Sequence, residues 1–188
     1  MRKLITLLAV AAIPLIHGCA LVAVGAAGAG GYLIGEDRRP INTMGDDKTI
    51  ELRVSSRIDE KHRDAHIVTT AFNRMVLLTG EAPTEQVKSG AEAIARGVEN
   101  VRAVVNEIQV AGNSSLPSRA NDRFITSKVK ARFIDARKFS STHVNVVTEA
   151  GTVFLLGLVT RQEANDATEI ARTTSGVQRV VRVFEYQN

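Results

Sequence analysis

Apolar positions along the chain fall into three patterns. The first is a run: Leu4 to Ile16 is apolar except for Thr6 and is interrupted only by Pro14. It follows the positive pair Arg2 and Lys3. A bilayer crossing takes about 20 residues, so this run is too short to span but suits the apolar segment of a signal peptide. The second pattern is a four-residue spacing, at Ile50, Val54 and Ile58 and again at Ile125, Val129 and Phe133, which marks one face of a helix. The third is alternation: Val144 and Val146, then Val153 and Leu155, point to the same side of paired strands.

The last two patterns belong to one unit written twice. Asp46 to Ile58 aligns with Asn121 to Phe133, so that Asp47 meets Asp122, Ile50 meets Ile125, Val54 meets Val129 and Arg57 meets Arg132. Gly80 falls over Gly157, and Ile-Ala-Arg recurs at 94–96 and 170–172. Val101, Val104 and Val105 recur at 177, 180 and 181, with the offset held at 75 to 77 residues. Each copy predicts a helix that Asp47 or Asn121 can cap, then a hairpin turning near Asn73-Arg74 or Ala150-Gly151. A second helix follows, on Val87, Ala91, Ile94, Ala95 and Val98, or on Ala164, Ala167, Ile170 and Ala171. A closing strand covers Val101 to Val110, or Val177 to Tyr186. The expected fold class is α+β: two tandem αββαβ modules, each a three-stranded sheet covered by two helices. At about 65 residues each module is small, so mutual packing of the copies is a reasonable expectation.

The expected organisation is a lipoprotein signal peptide at 1–18, an acylated Cys19 with a flexible tether at 19–45, a first module at 46–111, a linker at 112–118 and a second module at 119–188. Ile16-His17-Gly18-Cys19 resembles a lipobox, with an aliphatic residue three before the cysteine and a small one just before it. Cys19 is the only cysteine, and it stands at the expected cleavage point. Acylation there, including a palmitate-type chain on the new amine, anchors the protein, since each buried CH₂ contributes about 0.8 kcal/mol. Ala20 follows rather than an acidic residue, which by similarity to lipoprotein sorting in two-membrane bacteria implies the outer membrane, facing the periplasm. Residues 20–35 are rich in Gly and Ala, with a Gly-x-x-x-Gly spacing at Gly31 and Gly35. They read as a tether near the lipid surface, with a reach of roughly 25–30 Å from Ala20 to Gly45.

Composition adds two points. There is no Trp, so the core must be built on Val, Ile, Leu and Ala; a single Cys rules out an intrachain disulfide. Charge separates the copies. Residues 46–111 carry nine Lys/Arg and eleven Asp/Glu, whereas 116–188 carry eleven and seven. The excess gathers in the first helix of copy two, at Arg119, Arg123, Lys128, Lys130, Arg132, Arg137 and Lys138. With Ile125, Val129, Phe133 and Ala136 as the core stripe, Phe124 lies off it, on the side of Lys128 and Ala131. An exposed aromatic among cations suits an anionic membrane surface, to which each cation can contribute up to about 1 kcal/mol. The expected phospholipid-binding set is Arg123, Phe124, Ser127, Lys128, Lys130 and Ala131. The competing reading is a solvated basic face, with Phe124 packed on the other module. In copy one Thr49 replaces Phe124, and Glu51, Asp59 and Glu60 make the helix acidic, so no anionic lipid is expected there.

An enzyme is not expected. His62 and His66 stand four apart between helix and strand, with no carboxylate or cysteine set to complete a metal site. His143 is isolated at a strand start. The linker serines lack a nucleophile elbow, and the glycines of 25–35 lack a preceding strand and a phosphate-binding lysine. No cofactor or metal follows. Nucleic acid is disfavoured by the modest charge and scarce aromatics.

The ordered elements, with VFLLGLV at 153–159 and Gly176-Val177-Gln178-Arg179-Val180, resemble the BON domain, a bacterial periplasmic module. Asn100 stands where the first copy's closing glycine would be, and asparagine tolerates positive φ best after glycine. The arrangement of two copies behind a lipobox resembles the dual-BON outer-membrane lipoproteins. That resemblance implies binding of anionic phospholipid (phosphatidylglycerol or cardiolipin) through the helix that holds Phe124, where the family carries Trp. It also implies support of outer-membrane integrity and association with division sites. The alternative is a periplasmic adaptor whose acidic first copy, or an exposed sheet edge, recruits envelope, division or cell-wall-remodelling proteins.

Overall fold

A computed structural model describes residues 37–187; Cys19, the apolar run and the Gly/Ala-rich segment lie outside the described residues. The first module comprises α1 (Ile41–Lys61), β1 (His66–Phe72), β2 (Met75–Ala82), α2 (Glu85–Arg96), β3 (Ala103–Asn106) and β4 (Gln109–Val110). The second comprises α3 (Leu116–Ala136), a 3₁₀ turn (Ser141–His143), β5 (Val144–Glu149), β6 (Thr152–Val159), α4 (Arg161–Arg172) and β7 (Arg179–Tyr186). Both are αββαβ. In each the middle strand pairs antiparallel with its hairpin partner and parallel with the strand that returns after the helix, giving orders β1-β2-β3 and β5-β6-β7. The first module's closing strand is interrupted. β4 resumes pairing with β2 at Glu81 and Ala82 after Ile108, whose N–H is held by Asn106 Oδ1 and whose side chain is fully buried.

The middle strands explain why their sequences are continuously apolar. β2 is buried at all eight positions. Val76, Leu78 and Ala82 join Ile50, Val54 and Ile58 under the helices, while Met75 and Leu77 turn the other way. In β6, Val153, Leu155 and Val159 pack under α3 and α4, and Phe154 and Leu156 face outward from that layer. The two outward faces meet: Phe72, Met75 and Leu77 pack against Phe154, Leu156 and Val183. The modules therefore stack sheet on sheet, with helices on both outer sides. Two faces per strand means two cores per sheet, which offsets the small size of each module.

The hairpin turns are where the repeat predicts them. Asn73 and Arg74 (φ 51° and 62°) and Ala150 and Gly151 (φ 47° and 71°) are left-handed, as a two-residue turn with matching twist requires. Asp47 and Asp122 do not cap helices. Each lies inside its helix, 3% and 4% exposed, with its carboxylate on the turn's backbone. Asp47 accepts from Asn73 N and Arg74 N at 2.8 and 2.6 Å, and Asp122 from Ala150 N and Gly151 N at 3.0 and 2.9 Å. Asn121 is exposed within α3 rather than at its start.

Both first helices start earlier than composition indicates. α3 is capped by Ser115, whose hydroxyl accepts from Ser118 N at 3.3 Å, and Pro117 sits in its first turn, where a missing N–H costs nothing. α1 follows Pro40 and carries Gly45 inside it, because Thr43 and Asp47 on either side are buried. Residues 41–45 and 116–118 are thus helical. Ala136 is exposed at the end of α3 and outside the core; Phe139 packs edge-on against Phe133 instead, with ring centres 5.1 Å apart. Asn100 (φ 67°) does take the place of Gly176 (φ 97°), as its tolerance of positive φ predicts.

Candidate functional site

α3 is fixed by its inward stripe of Asp122, Ile125, Val129 and Phe133, and so presents the opposite face to solvent. At 100° per residue that outer face carries Leu116, Ala120, Phe124, Ser127, Ala131 and Ile134. All six are exposed, and three are large: Leu116 at 78%, Phe124 at 61% and Ile134 at 61%. Phe124 therefore does not pack on the first module.

Cations flank this apolar stripe. Arg123, Lys130 and Arg137, seven apart, lie along one edge, all exposed. Among the described residues none of the three forms an ion pair or a side-chain hydrogen bond, so each is free for an external anion. On the other edge Lys128 donates to the Ser175 carbonyl and stands 4.8 Å from the Phe124 ring centre. That contact holds the ring in place and leaves part of the ammonium charge at the surface. Ser127 donates to Arg123 O at 3.0 Å, a bond internal to the helix. The remaining basic residues of the segment are engaged elsewhere. Arg132 donates to Ile170 O and Thr174 Oγ1, both at 2.8 Å, Lys138 pairs with Asp166 at 2.8 Å, and Arg119 Nε donates to Ser114 Oγ at 3.1 Å.

The structure thus places all six expected residues on one exposed side of α3. It adds Leu116 and Ile134, which sequence reasoning missed, and Arg137, which it counted among the helix's cations but left out of the binding set. Leu116 fell in the supposed linker, and Ile134 is masked by its core neighbour Phe133. The helical spacing 116, 120, 124, 127, 131, 134 was the available signal. In α1 the position of Phe124 is held by Thr49, whose hydroxyl donates to Gly45 O. No helix among the described residues is long and apolar enough to cross a membrane.

His62 follows α1 and His66 opens β1, between helix and strand as expected. His143 is not isolated: Nδ1 lies 3.2 Å from Glu163 Oε1. Glu163 also binds the Arg38 guanidinium at 2.7 and 2.9 Å and, with Thr160, caps α4 reciprocally. Burial opposes ionisation of Glu163, but Arg38, Thr160 and His143 together outweigh it and hold the carboxyl down at about 2. His66 opens β1 directly opposite Glu81 on β2, and the stacking of the sheets brings Glu149 of β5 to the same place. The carboxylates that approach His66 come from distant parts of the chain, Glu81 on β2 and Glu149 on β5.

Comparison with known proteins agrees with the architecture. Residues 46–112 and 121–188 each match the BON domain. The chain is 37% identical to the outer membrane lipoprotein DolP of Haemophilus influenzae, over 91% of this chain and 90% of that one. It is 34% identical to a 21 kDa hemolysin of Actinobacillus pleuropneumoniae, over 80% and 79% of the two chains. It is 28% identical to the osmotically-inducible protein Y of Escherichia coli, over 80% and 77%. Since both of its sheet-and-helix modules match the family and a relative 37% identical covers nine-tenths of it, the chain belongs to the BON-domain family.

Proposed function

We propose that this protein is a non-enzymatic, lipid-anchored component of the outer membrane, acylated at Cys19, whose second module docks on anionic phospholipid through α3. The observation that carries this reading is the outer face of α3. Leu116, Phe124 and Ile134 offer apolar groups at helical spacing, and Arg123, Lys130 and Arg137, unpaired among the described residues, line their edge. Such a helix lies in the interface plane, with apolar side chains among the acyl chains and cations at the phosphates. Similarity to a named outer membrane lipoprotein over nine-tenths of the chain supports the location, and support of envelope integrity, including at division sites, follows from the family resemblance. Co-flotation of an unacylated fragment, residues 36–188, with phosphatidylglycerol vesicles tests the binding. Flotation that needs anionic lipid and falls with salt is expected; no flotation would leave Cys19 as the membrane contact.

A second reading, an adaptor for envelope or division proteins, is favoured by one feature of α1. Leu52 is 60% exposed on a face shared with Asp59, in a helix that also carries Glu51 and Glu60. Capture of a defined partner by the first module and not by the second would select it.

A further inference from the structure

At one end of the sheet-on-sheet interface, His66, Glu81 and Glu149 each bring a potential ligand atom within 4.8 Å of the other two. His66 and Glu81 are cross-strand neighbours in the first module; Glu149 ends β5 in the second. We infer that these three side chains bind one divalent first-row transition ion, of the Zn²⁺ class, that clips the two modules together.

Donor chemistry comes first. One imidazole nitrogen and two carboxylates make a set that Zn²⁺, Co²⁺ and Mn²⁺ accept, with a fourth position left to water. The tetrahedral centre needs ligand atoms about 3.4 Å apart at ordinary metal–ligand lengths of about 2.1 Å. His66 Nε2 and Glu149 Oε1 are already 3.8 Å apart. Small side-chain rotations close the rest.

The donors are also uncommitted. Among the described residues the imidazole of His66 makes no hydrogen bond. Neither does the carboxylate of Glu149, although that side chain is only 11% exposed. Glu81 is 5% exposed and uses one oxygen for Ser114 N at 3.2 Å, the other having no hydrogen-bond partner among the described residues. A carboxylate taken largely out of water without a donor is costly to ionise, and a bound cation offsets that cost.

Charge points the same way. Burial, then the carboxylates of Glu81 and Asp122, push the Glu149 carboxyl up to about 7, against the weaker pull of Arg119. Burial, helped by Arg119, lowers the His66 pKa and so favours the neutral imidazole that ligates metal. A cation with two positive charges relieves both conditions. Access exists: a cavity of about 350 Å³ reaches Glu149 past Gly80 and Arg179, and another of about 430 Å³ reaches His66 and Glu149.

The test uses the full chain in detergent, stripped with chelator, and the metals themselves as probes. Titrated Co²⁺ should give the intense visible bands of a four- or five-coordinate site, displaced by one equivalent of Zn²⁺. Zn²⁺ should also raise the thermal midpoint by several degrees, as any ligand of the folded state does. Glu149→Gln, close in shape to the original, and His66→Ala should each abolish the Co²⁺ bands and the thermal shift while keeping the wild-type circular dichroism. Only the weak bands of aqueous Co²⁺ in the unaltered chain, a readout that needs no variant to fold, would overturn the proposal. So would Zn²⁺ binding that survives both substitutions, which would move the ion to His62 or His143.

Discussion

Asp122 on α3 binds the backbone of Gly151 at 2.9 Å, 29 residues further along, and so ties a helix to the tip of the hairpin it covers. Its other oxygen takes Ala150 N. The left-handed turn at Ala150 has an unfavourable φ for a residue with a Cβ, and the buried carboxylate offsets that strain. Asp47 repeats the device on Asn73 and Arg74 and adds a 2.9 Å ion pair to Arg39.

Replacing Asp122 by Ala strands two turn N–H groups with no acceptor. We expect a loss of about 2–4 kcal/mol in urea unfolding. Asp122→Asn, which keeps one acceptor, should lose about half of that. Equal losses for the two variants would mean that charge, not the acceptor pair, holds the turn.

The repeat made most of the fold legible. Offsets of 75 to 77 residues place Ile50 over Ile125 and Gly80 over Gly157, and once the copies are aligned each helps to delimit the other. Two features escaped. Asp47 and Asn121 look like caps, because a short polar side chain ahead of an apolar stripe is a helix-start signal, yet Asp47 and Asp122 find their partners on a hairpin far along the chain and Asn121 is exposed inside α3. The stacking of the sheets was also not specified: Met75 and Leu77 read as apolar in any strand, and only the second face of a second sheet explains why both sides of β2 are buried.

The shared glycine has a steric cause that gives a second prediction. A Cβ on Gly157 would stand 2.3 Å from the carbonyl oxygen of His143, and one on Gly80 would stand 2.0 Å from that of His66. Backbone cannot yield as a side-chain tip can. Gly157→Ala should therefore cost about 1–3 kcal/mol. Gly112→Ala, where nothing lies within 4 Å, should be within about 0.5 kcal/mol of neutral. A tolerated Gly157→Ala in thermal melts would show that the β5 start can shift.

The exposed face of α3 was half legible. Phe124 and its cations stood out because an aromatic off the core stripe is unusual. Arg132 and Lys138 looked equally available, and only the structure shows them bound to Ile170, Thr174 and Asp166. This sorting is itself testable. Arg123→Glu with Lys130→Glu should reduce binding to phosphatidylglycerol vesicles by tenfold or more at low salt, given about 1 kcal/mol per cation. Lys138→Gln should leave binding nearly unchanged. Equal effects would mean that total charge, not the free edge of α3, governs association.

Phe124 and Ile134 contribute the apolar part. Phe124→Ala and Ile134→Ser should each weaken vesicle binding about tenfold, without lowering thermal stability, since both side chains are 61% exposed. Phe124→Trp should tighten it, because the indole N–H adds an interfacial hydrogen bond. Binding that ignores both alanine-scale truncations would restrict the interaction to the headgroups.

Glu163 makes the stability of the second module depend on pH. Its carboxyl ionises near 4.5 when unfolded and at about 2 when folded, because Arg38, Thr160 and His143 favour the anion more than burial opposes it. A folded pKa below the unfolded one means that the contribution is complete above about 4.5 and is lost as pH falls toward 2. Glu163→Gln removes it at every pH. The wild type should therefore exceed the variant by on the order of 2 kcal/mol at pH 7, allowing for solvent screening of a side chain that is 14% exposed. The gap should narrow steadily below pH 4.5 and fall to about a quarter of its pH 7 size at pH 2.5, where the folded carboxyl is still mostly ionised. Urea unfolding of both chains across that range reads it directly. A gap that stays constant down to pH 2.5 would show that the α4 capping bonds, which glutamine can partly keep, matter and that the ion pair to Arg38 does not.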